Sequence, residues 1–177
     1  ITYMPTFRVS KRQSFSFLNL SKSQKSDLNK VLNNNIIIVE KAHFVDLEMR
    51  NINIKSNDLN IVKCPNDIDV QELLLISDIL ITDYSSCYID YLILNRPIIH
   101  YLYDYDFYKN EDRGLYYDIG DVNGGSIAYN FDELMNCISK YIDNPKLDED
   151  IRIRRKEFLC DFENGHSCKN ITNTILK

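Results

Sequence analysis

The sequence predicts a doubly wound, Rossmann-like α/β domain on a parallel sheet, and three observations carry that expectation. Short apolar runs of strand character alternate along the chain with segments of helical period. The connections are short, so each helix brings the chain back to start a strand parallel to the one before. Consecutive apolar residues such as Ile36 to Val39 mark strands covered on both faces.

Taken in order, "ITYMPTF" reads as the first strand and "SKSQKSDLNKVLN" as a polar helix with a serine cap. "NNIIIVEKAH" is the second strand and "NDLNIVKCP" the third. "NDIDVQELLLIS" is a helix, with Val70, Leu73 and Leu74 at helical spacing and Asn66 or Asp67 as its cap. "DILITDY" has the strongest strand pattern, and "SSCYIDYLILN" is a helix that begins at the serines. "RPIIHYLY" is a strand opened by Pro97. "DYDFYKNEDRGLYYDIGDVNGGS" reads as a polar, aromatic loop region with one short helix. "NFDELMNCISKYIDN" and "LDEDIRIRRKEFLCDF" are two closing helices. There is no internal repeat and no low-complexity linker, so residues 1–177 form a single domain.

Of the 177 residues, 44% are hydrophobic and 27% charged, the balance of a globular chain with a sizeable core. A net charge of −5 counts against nucleic acid as a partner. The local exception is Arg152, Arg154, Arg155 and Lys156, which form either a solvated helix face or a patch for an anionic or lipid surface. No apolar run reaches the ~20 residues of a membrane-spanning helix. The chain opens on Ile without a signal-peptide layout, which leads us to expect a piece of a longer protein. Five cysteines form no CxxC and no metal spacing, the pattern of free thiols in a reducing cytosol. Cys87, beside the serine pair, reads as a packing residue rather than a nucleophile. "DYD" at 104–106 has the spelling of a metal motif but lies in a tyrosine-rich segment, and no metal is expected there.

In doubly wound sheets, ligands sit beyond the carboxyl ends of the strands, where the strand order reverses. Asp83, Tyr84, Ser85 and Ser86 fall between the strongest strand and the helix after it. Backbone N–H groups there lack helical partners, the helix dipole favours an anion, and two small hydroxyls add donors without filling space. A phosphate or pyrophosphate fits this arrangement. The alternative is that Ser85 caps the helix and Asp83 closes a turn. Neither a P-loop nor a GxGxxG is present.

The block "ISDILITDYSSCYIDYLILNRPIIHYLYDYDFY" with "RGLYYD" resembles the CDP-glycerol glycerophosphotransferase family, enzymes of teichoic acid and related capsule polymers. "YMPTFR", a strand ending in "KAH", and "ENGHSCKNI" agree with the family in order, so the resemblance runs from Tyr3 to about Lys169. It implies the carboxyl-terminal, nucleotide-binding half of a GT-B fold, the amino-terminal half lying outside this chain. It implies a CDP-linked donor (CDP-glycerol as substrate), no cofactor, and a lipid-linked or polymeric polyol-phosphate or glycan acceptor. It also implies work at the cytoplasmic face of a bacterial membrane, with peripheral membrane contact.

Carried over by the resemblance, Ser85 and Ser86 hold the donor pyrophosphate, and Asp83 orders their turn. His43 is the catalytic residue, stabilising charge on the phosphoryl group in transit or on the departing CMP. Phe44 follows it where the family has Pro. Arg113 pairs an anion and Gly114 permits close backbone approach. Thr6 and Arg8 support the same rim, toward a phosphate or the acceptor. Asn164, Gly165, His166 and Ser167 match a segment that usually begins Asp-Gly; Ser167 would bond phosphate, and Asn164 or Glu163 would meet cytidine or ribose. The base would rest near Val62 to Ile68.

The implied reaction is attack of an acceptor hydroxyl on the β-phosphorus with loss of CMP, the base coming from the other half, so that this piece alone turns over little. The rival readings are a GT-B glycosyltransferase with a nucleotide-sugar donor, a transferase using CDP-ribitol, and a non-catalytic receiver-like module. Against the module stand the aromatic, arginine-bearing region from Tyr103 to Asp118 and the lack of an acidic pair after the first strand.

Overall fold

A computed structural model describes residues 1–8, 15–32, 35–41, 60–161 and 164–176. The chain runs β1 (Thr2–Met4), a turn of 3-10 helix (Phe17–Asn19), α1 (Lys22–Leu32), β2 (Ile38–Glu40), β3 (Ile61–Lys63), α2 (Val70–Ile76), β4 (Leu80–Thr82), α3 (Cys87–Leu92) and β5 (Ile98–Tyr101). It continues through α4 (Tyr105–Glu111), α5 (Ile119–Val122), β6 (Ser126–Ala128), α6 (Phe131–Asp143), α7 (Glu149–Leu159) and α8 (Ser167–Ile175). The six strands form one sheet in the order β3-β2-β1-β4-β5-β6, parallel at every pairing.

Burial follows position in that order. β1, β4 and β5 are buried at every residue and β2, next to the edge, at all but Val39, whereas β3 and β6 at the edges are only partly covered. Successive strand residues point to opposite faces, so Tyr3, Ile81 and Ile99 join Leu28, Leu134 and Ile138 of α1 and α6 in one core. Met4, Leu80 and Ile98 join Leu73, Tyr91 and Leu92 of α2 and α3 in the other. Helices thus cover both faces, the doubly wound arrangement expected from the alternating runs. α1 starts with a reciprocal cap: Ser21 Oγ accepts from Gln24 N (3.3 Å) while Ser21 N donates to Gln24 Oε1 (3.0 Å).

Four local expectations are corrected. The cap of α2 is Asp69, whose Oδ1 accepts from Gln71 N (2.7 Å) and Glu72 N (3.3 Å), rather than Asn66 or Asp67. The region read as loop with one short helix contains α4 and α5 and ends on the first residue of the edge strand β6, which pairs with β5 from Ile99↔Ser126 to Tyr101↔Ala128. Gly124 and Gly125 press the chain onto β5 there: a Cβ on Gly125 would stand 2.2 Å from the Ile98 carbonyl oxygen. α8 was not expected, and it buries none of its residues.

The fourth concerns the basic cluster on α7, which is half internal. Arg152 is buried and donates to Leu147 O (2.6 Å), Pro145 O (3.2 Å) and Asn95 Oδ1 (3.2 Å). Arg155 donates to Gly120 O (2.9 Å) and Asn123 O (3.3 Å), closing the end of α5. The surface charge available to an anionic or lipid surface shrinks accordingly. Among the described residues, no helix is long and apolar enough to cross a membrane, and no cluster of His, Cys, Asp and Glu has a metal-binding arrangement.

Candidate functional site

The strand order reverses between β1 and β4: the chain leaves β1 toward β2 and β3, and leaves β4 toward β5 and β6. Their carboxyl ends therefore flank the crevice where such folds take ligands. Thr82 Oγ1 donates to Met4 O (2.7 Å), tying the two strand ends together. Immediately beyond them lie Thr6 on one side and Asp83 to Ser86 on the other.

Asp83 is fully buried and held by both carboxylate oxygens. Oδ1 accepts from Thr6 N (2.8 Å), Thr6 Oγ1 (2.6 Å) and Tyr84 N (2.6 Å). Oδ2 has no hydrogen bond; Arg8 Nη2 stands 2.9 Å away as an ion-pair partner, off the hydrogen-bond line.

Arg8 is itself 5% exposed, too deep to meet a ligand at the rim. Its Nε donates to Asp104 Oδ2 (2.8 Å), Nη2 to Asp104 Oδ1 (3.1 Å) and Nη1 to Thr6 O (2.7 Å). The paired bonds to Asp104 are the bidentate form in which a planar guanidinium meets a carboxylate best. The rings of Tyr108, Tyr84 and Tyr103 surround the guanidinium at 4.9, 5.1 and 5.7 Å. Tyr84 stacks on Tyr108 (3.7 Å between centroids) and donates to Asp104 Oδ1 (3.0 Å). Burial pushes the Tyr103 phenol up to about 12, and burial beside Asp104 pushes Tyr84 up as well. Both phenols remain neutral at physiological pH, Tyr84 donating to Asp104 and Tyr103 accepting from Phe15 N (3.0 Å) and Arg8 Nη2 (3.4 Å).

With Asp83 and Tyr84 clamped, the next two residues open outward. Ser86 is exposed at the start of α3, and its hydroxyl makes no bond to the helix. Ser85 Oγ accepts from Cys87 N only at 3.4 Å. Capping is therefore a weak use of this pair, and small hydroxyls at a helix start are groups that suit an anion. Cys87 is buried against Thr82 Oγ1 (3.6 Å) and burial raises its thiol pKa, as a packing role requires.

Arg113 is exposed, just beyond α4, and Gly114 adopts a left-handed φ of 70° while donating to Tyr108 O (3.1 Å). Only glycine takes that turn without strain. Asn164, Gly165 and His166 are exposed at the start of α8, with Asn164 Oδ1 accepting from His166 N (3.0 Å), and Ser167 is half-buried. The structure thus brings Thr6, Arg8, Asp83, Ser85 and Ser86 together, reaches Arg113 and Gly114 through Tyr108, and sets residues 164–166 exposed just before α8, with Ser167 half-buried at its first position. His43 and Glu163 lie outside the described residues.

Sequence reasoning missed Asp104 and Tyr108 as partners of Arg8. A signal was present, because β5 also ends in polar residues at the rim shared with β4, where two carboxylates imply a cation between them.

The profile of the family described as CDP-Glycerol:Poly(glycerophosphate) glycerophosphotransferase matches residues 1–177. A teichoic acid poly(glycerol phosphate) polymerase from Bacillus spizizenii is 34% identical over 179 residues, spanning 99% of this chain and 44% of that protein. A teichoic acid glycerol-phosphate transferase from Staphylococcus aureus is 31% identical, spanning all of this chain and 45% of that protein. Among solved structures, a variant of the wall teichoic acid polymerase TagF soaked with CDPG superposes with a TM-score of 0.72 at 27% identity, over 98% of this chain and 40% of that one. The chain spans less than half the length of these relatives.

Proposed function

This chain belongs to the CDP-glycerol:poly(glycerophosphate) glycerophosphotransferase family, and we propose that it is the donor-holding half of an enzyme that moves glycerol phosphate from CDP-glycerol to a hydroxyl of a growing polyol-phosphate chain. The observation that carries this reading is the contrast within one turn: Asp83 is buried and clamped, while Ser86 beside it is exposed and makes no bond to the helix it starts. A rigid base beside one unbonded hydroxyl, Ser86, and one held only by a long 3.4 Å bond, Ser85, suits a diphosphate, whose charge such a corner can share among several donors.

In this reading the Ser85 and Ser86 hydroxyls and the first amides of α3 hold the diphosphate. Arg113, exposed just beyond α4, supplies a positive charge at the rim. Arg8, saturated by Asp104, Asp83 and Thr6 O, acts on the donor only through the turn it holds. Thr6 has the same supporting role. The acceptor oxygen attacks the β-phosphorus, the bond to the CMP oxygen breaks, and CMP leaves with the electron pair. Little covalent work falls to the protein, so alignment and charge neutralisation supply the rate. His43 would neutralise charge on the phosphoryl group, and the base that takes the acceptor proton would come from a part of the enzyme outside this chain. Asn164 to Ser167 would reach the nucleotide only when that other part is in place. Similarity to teichoic acid polymerases and transferases supports teichoic acid as the acceptor class, and the reaction would run at the cytoplasmic face of the membrane.

Calorimetric titration tests the donor. Heat with CDP-glycerol, little with UDP-glucose, and a Kd raised about tenfold or more by Ser85→Ala with Ser86→Ala is the expected result, one charge-assisted hydrogen bond being worth roughly 1.5–3 kcal/mol. Heat with UDP-glucose and none with CDP-glycerol would replace this donor with a nucleotide-sugar.

A further inference from the structure

His100 lies inside β5, between the buried apolar residues Ile99 and Tyr101, and is itself wholly buried. Its ring bridges two main-chain groups. Nδ1 is 3.2 Å from the carbonyl oxygen of Asp83, and Nε2 is 3.1 Å from the amide nitrogen of Gly124. A carbonyl can only accept and an amide can only donate, so the ring is neutral with its proton on Nδ1. Tyr88 meets the ring edge-on at 4.9 Å. Burial moves the imidazole pKa down to about 4, against a partial opposing pull from the carbonyl and charge of Asp83. A second proton would also aim an N–H at the Gly124 N–H.

The carbonyl that His100 holds belongs to the residue whose side chain Thr6 and Arg8 already clamp. The side-chain bonds place the Asp83 carboxylate; the imidazole fixes the plane of the peptide that leads into Tyr84, Ser85 and Ser86. On its other side, the ring reaches a loop that packs tightly on β5, where a Cβ on Gly124 would stand 2.8 Å from Ile98 Cδ1. An apolar side chain at this position would satisfy the strand but leave the Asp83 carbonyl and the Gly124 amide buried without partners. Resting on the donor-site reading above, we propose that His100 is a positioning residue for the diphosphate turn, acting through its Nδ1–H bond to the Asp83 carbonyl.

The test uses the ¹⁵N-labelled chain and two variants. His100→Asn keeps a donor near the Nδ1 position, and His100→Phe keeps the ring's volume without either bond. In the unmodified chain, the ring nitrogens are expected to report the neutral Nδ1–H tautomer throughout pH 5.5–8; a charged ring or the Nε2–H tautomer at pH 7 overturns the proposal, whether or not a variant folds. The amide resonances of residues 84–87 should move in His100→Phe and return toward their parent positions in His100→Asn. The CDP-glycerol Kd should rise about tenfold in His100→Phe and stay within about threefold in His100→Asn, the loss of one buried hydrogen bond setting the scale. Equal weakening in both variants, or none in His100→Phe, defeats the positioning role. If the parent gives no heat with CDP-glycerol while the tautomer and amide pattern hold, the donor reading fails and the part His100 plays in shaping the turn stands.

Discussion

Replacing Arg8 with Met removes the cation from between two carboxylates. Asp83 is fully buried and the Asp104 side chain is 16% exposed, so neither charge can be fully rehydrated in place. The variant loses both bonds to Asp104, the bond to Thr6 O, the ion pair to Asp83, and a cation ringed by three tyrosines. Breaking a buried pair by deleting one partner costs about 3–5 kcal/mol, against about 0–1 for a surface pair. The partial exposure of Asp104 argues for the lower end, and the lost cation–π contacts add roughly 0.5–1 kcal/mol. About 3–4 kcal/mol is therefore expected, a large share of the ~5–15 kcal/mol that holds a domain together. Urea unfolding with an unchanged slope measures it. Arg8→Lys should recover less than half, because a single ammonium cannot fork to Asp104 and still reach Asp83. Arg8→Met combined with Asp83→Asn should be more stable than Arg8→Met alone, since the more deeply buried of the two stranded charges is gone. A loss below about 1 kcal/mol in Arg8→Met would refute the buried-clamp reasoning, because that is the value of a solvated pair.

The same unfolding assay checks the α2 cap: Asp69→Ala should cost about 1 kcal/mol, while Asn66→Ala and Asp67→Ala should cost nothing measurable. Gly125→Ala should cost about 3 kcal/mol or more, because its Cβ would strike the backbone of β5 rather than a side chain that can turn away; a loss under 1 kcal/mol would mean the loop sits farther out. For His100, the native pKa of about 4 lies below the ordinary value of 6.5, so in that window the unfolded chain binds the extra proton. Its contribution to stability is whole above pH 6.5 and falls as pH drops, by at most about 1.4 kcal/mol per unit, until the loss is complete near pH 4. Urea unfolding from pH 7 to 5 should show that slope in the parent and a flatter one in His100→Asn.

The sheet was legible because inner strands must be apolar on both faces, and Leu80 to Thr82 and Ile98 to Tyr101 have no helical period to confuse them. β6 was hidden: Ser126 to Ala128 is short, two of its three residues are half-buried, and it follows a glycine pair that reads as loop. Its pairing with β5, a nonlocal fact, makes it a strand. Asp69 is hidden among neighbouring cap formers: Asn66, Asp67 and Asp69 are alike as residue types, and only the start of the helix at Val70 tells them apart. The turn at Asp83 to Ser86 was legible as strand end meeting helix start. The burial of Arg8 was not, since an arginine after a strand looks the same whether it faces solvent or carboxylates contributed by distant β4 and β5. Arg152 and Arg155 misled for the same reason: apart from the Asn95 side chain, their partners are main-chain carbonyls, which no residue type announces.

Mapping the amide resonances of the ¹⁵N-labelled chain during titration with CDP-glycerol asks most directly where the diphosphate goes. The largest shifts should fall at Ser85, Ser86 and Cys87, and Ser85→Ala with Ser86→Ala should abolish them at the same ligand concentration. Undisturbed serine amides, with the largest shifts instead in the apolar groove between α2 and α3 that Leu74, Leu75, Ile89 and Ile93 line, would contradict a diphosphate site at the switch point.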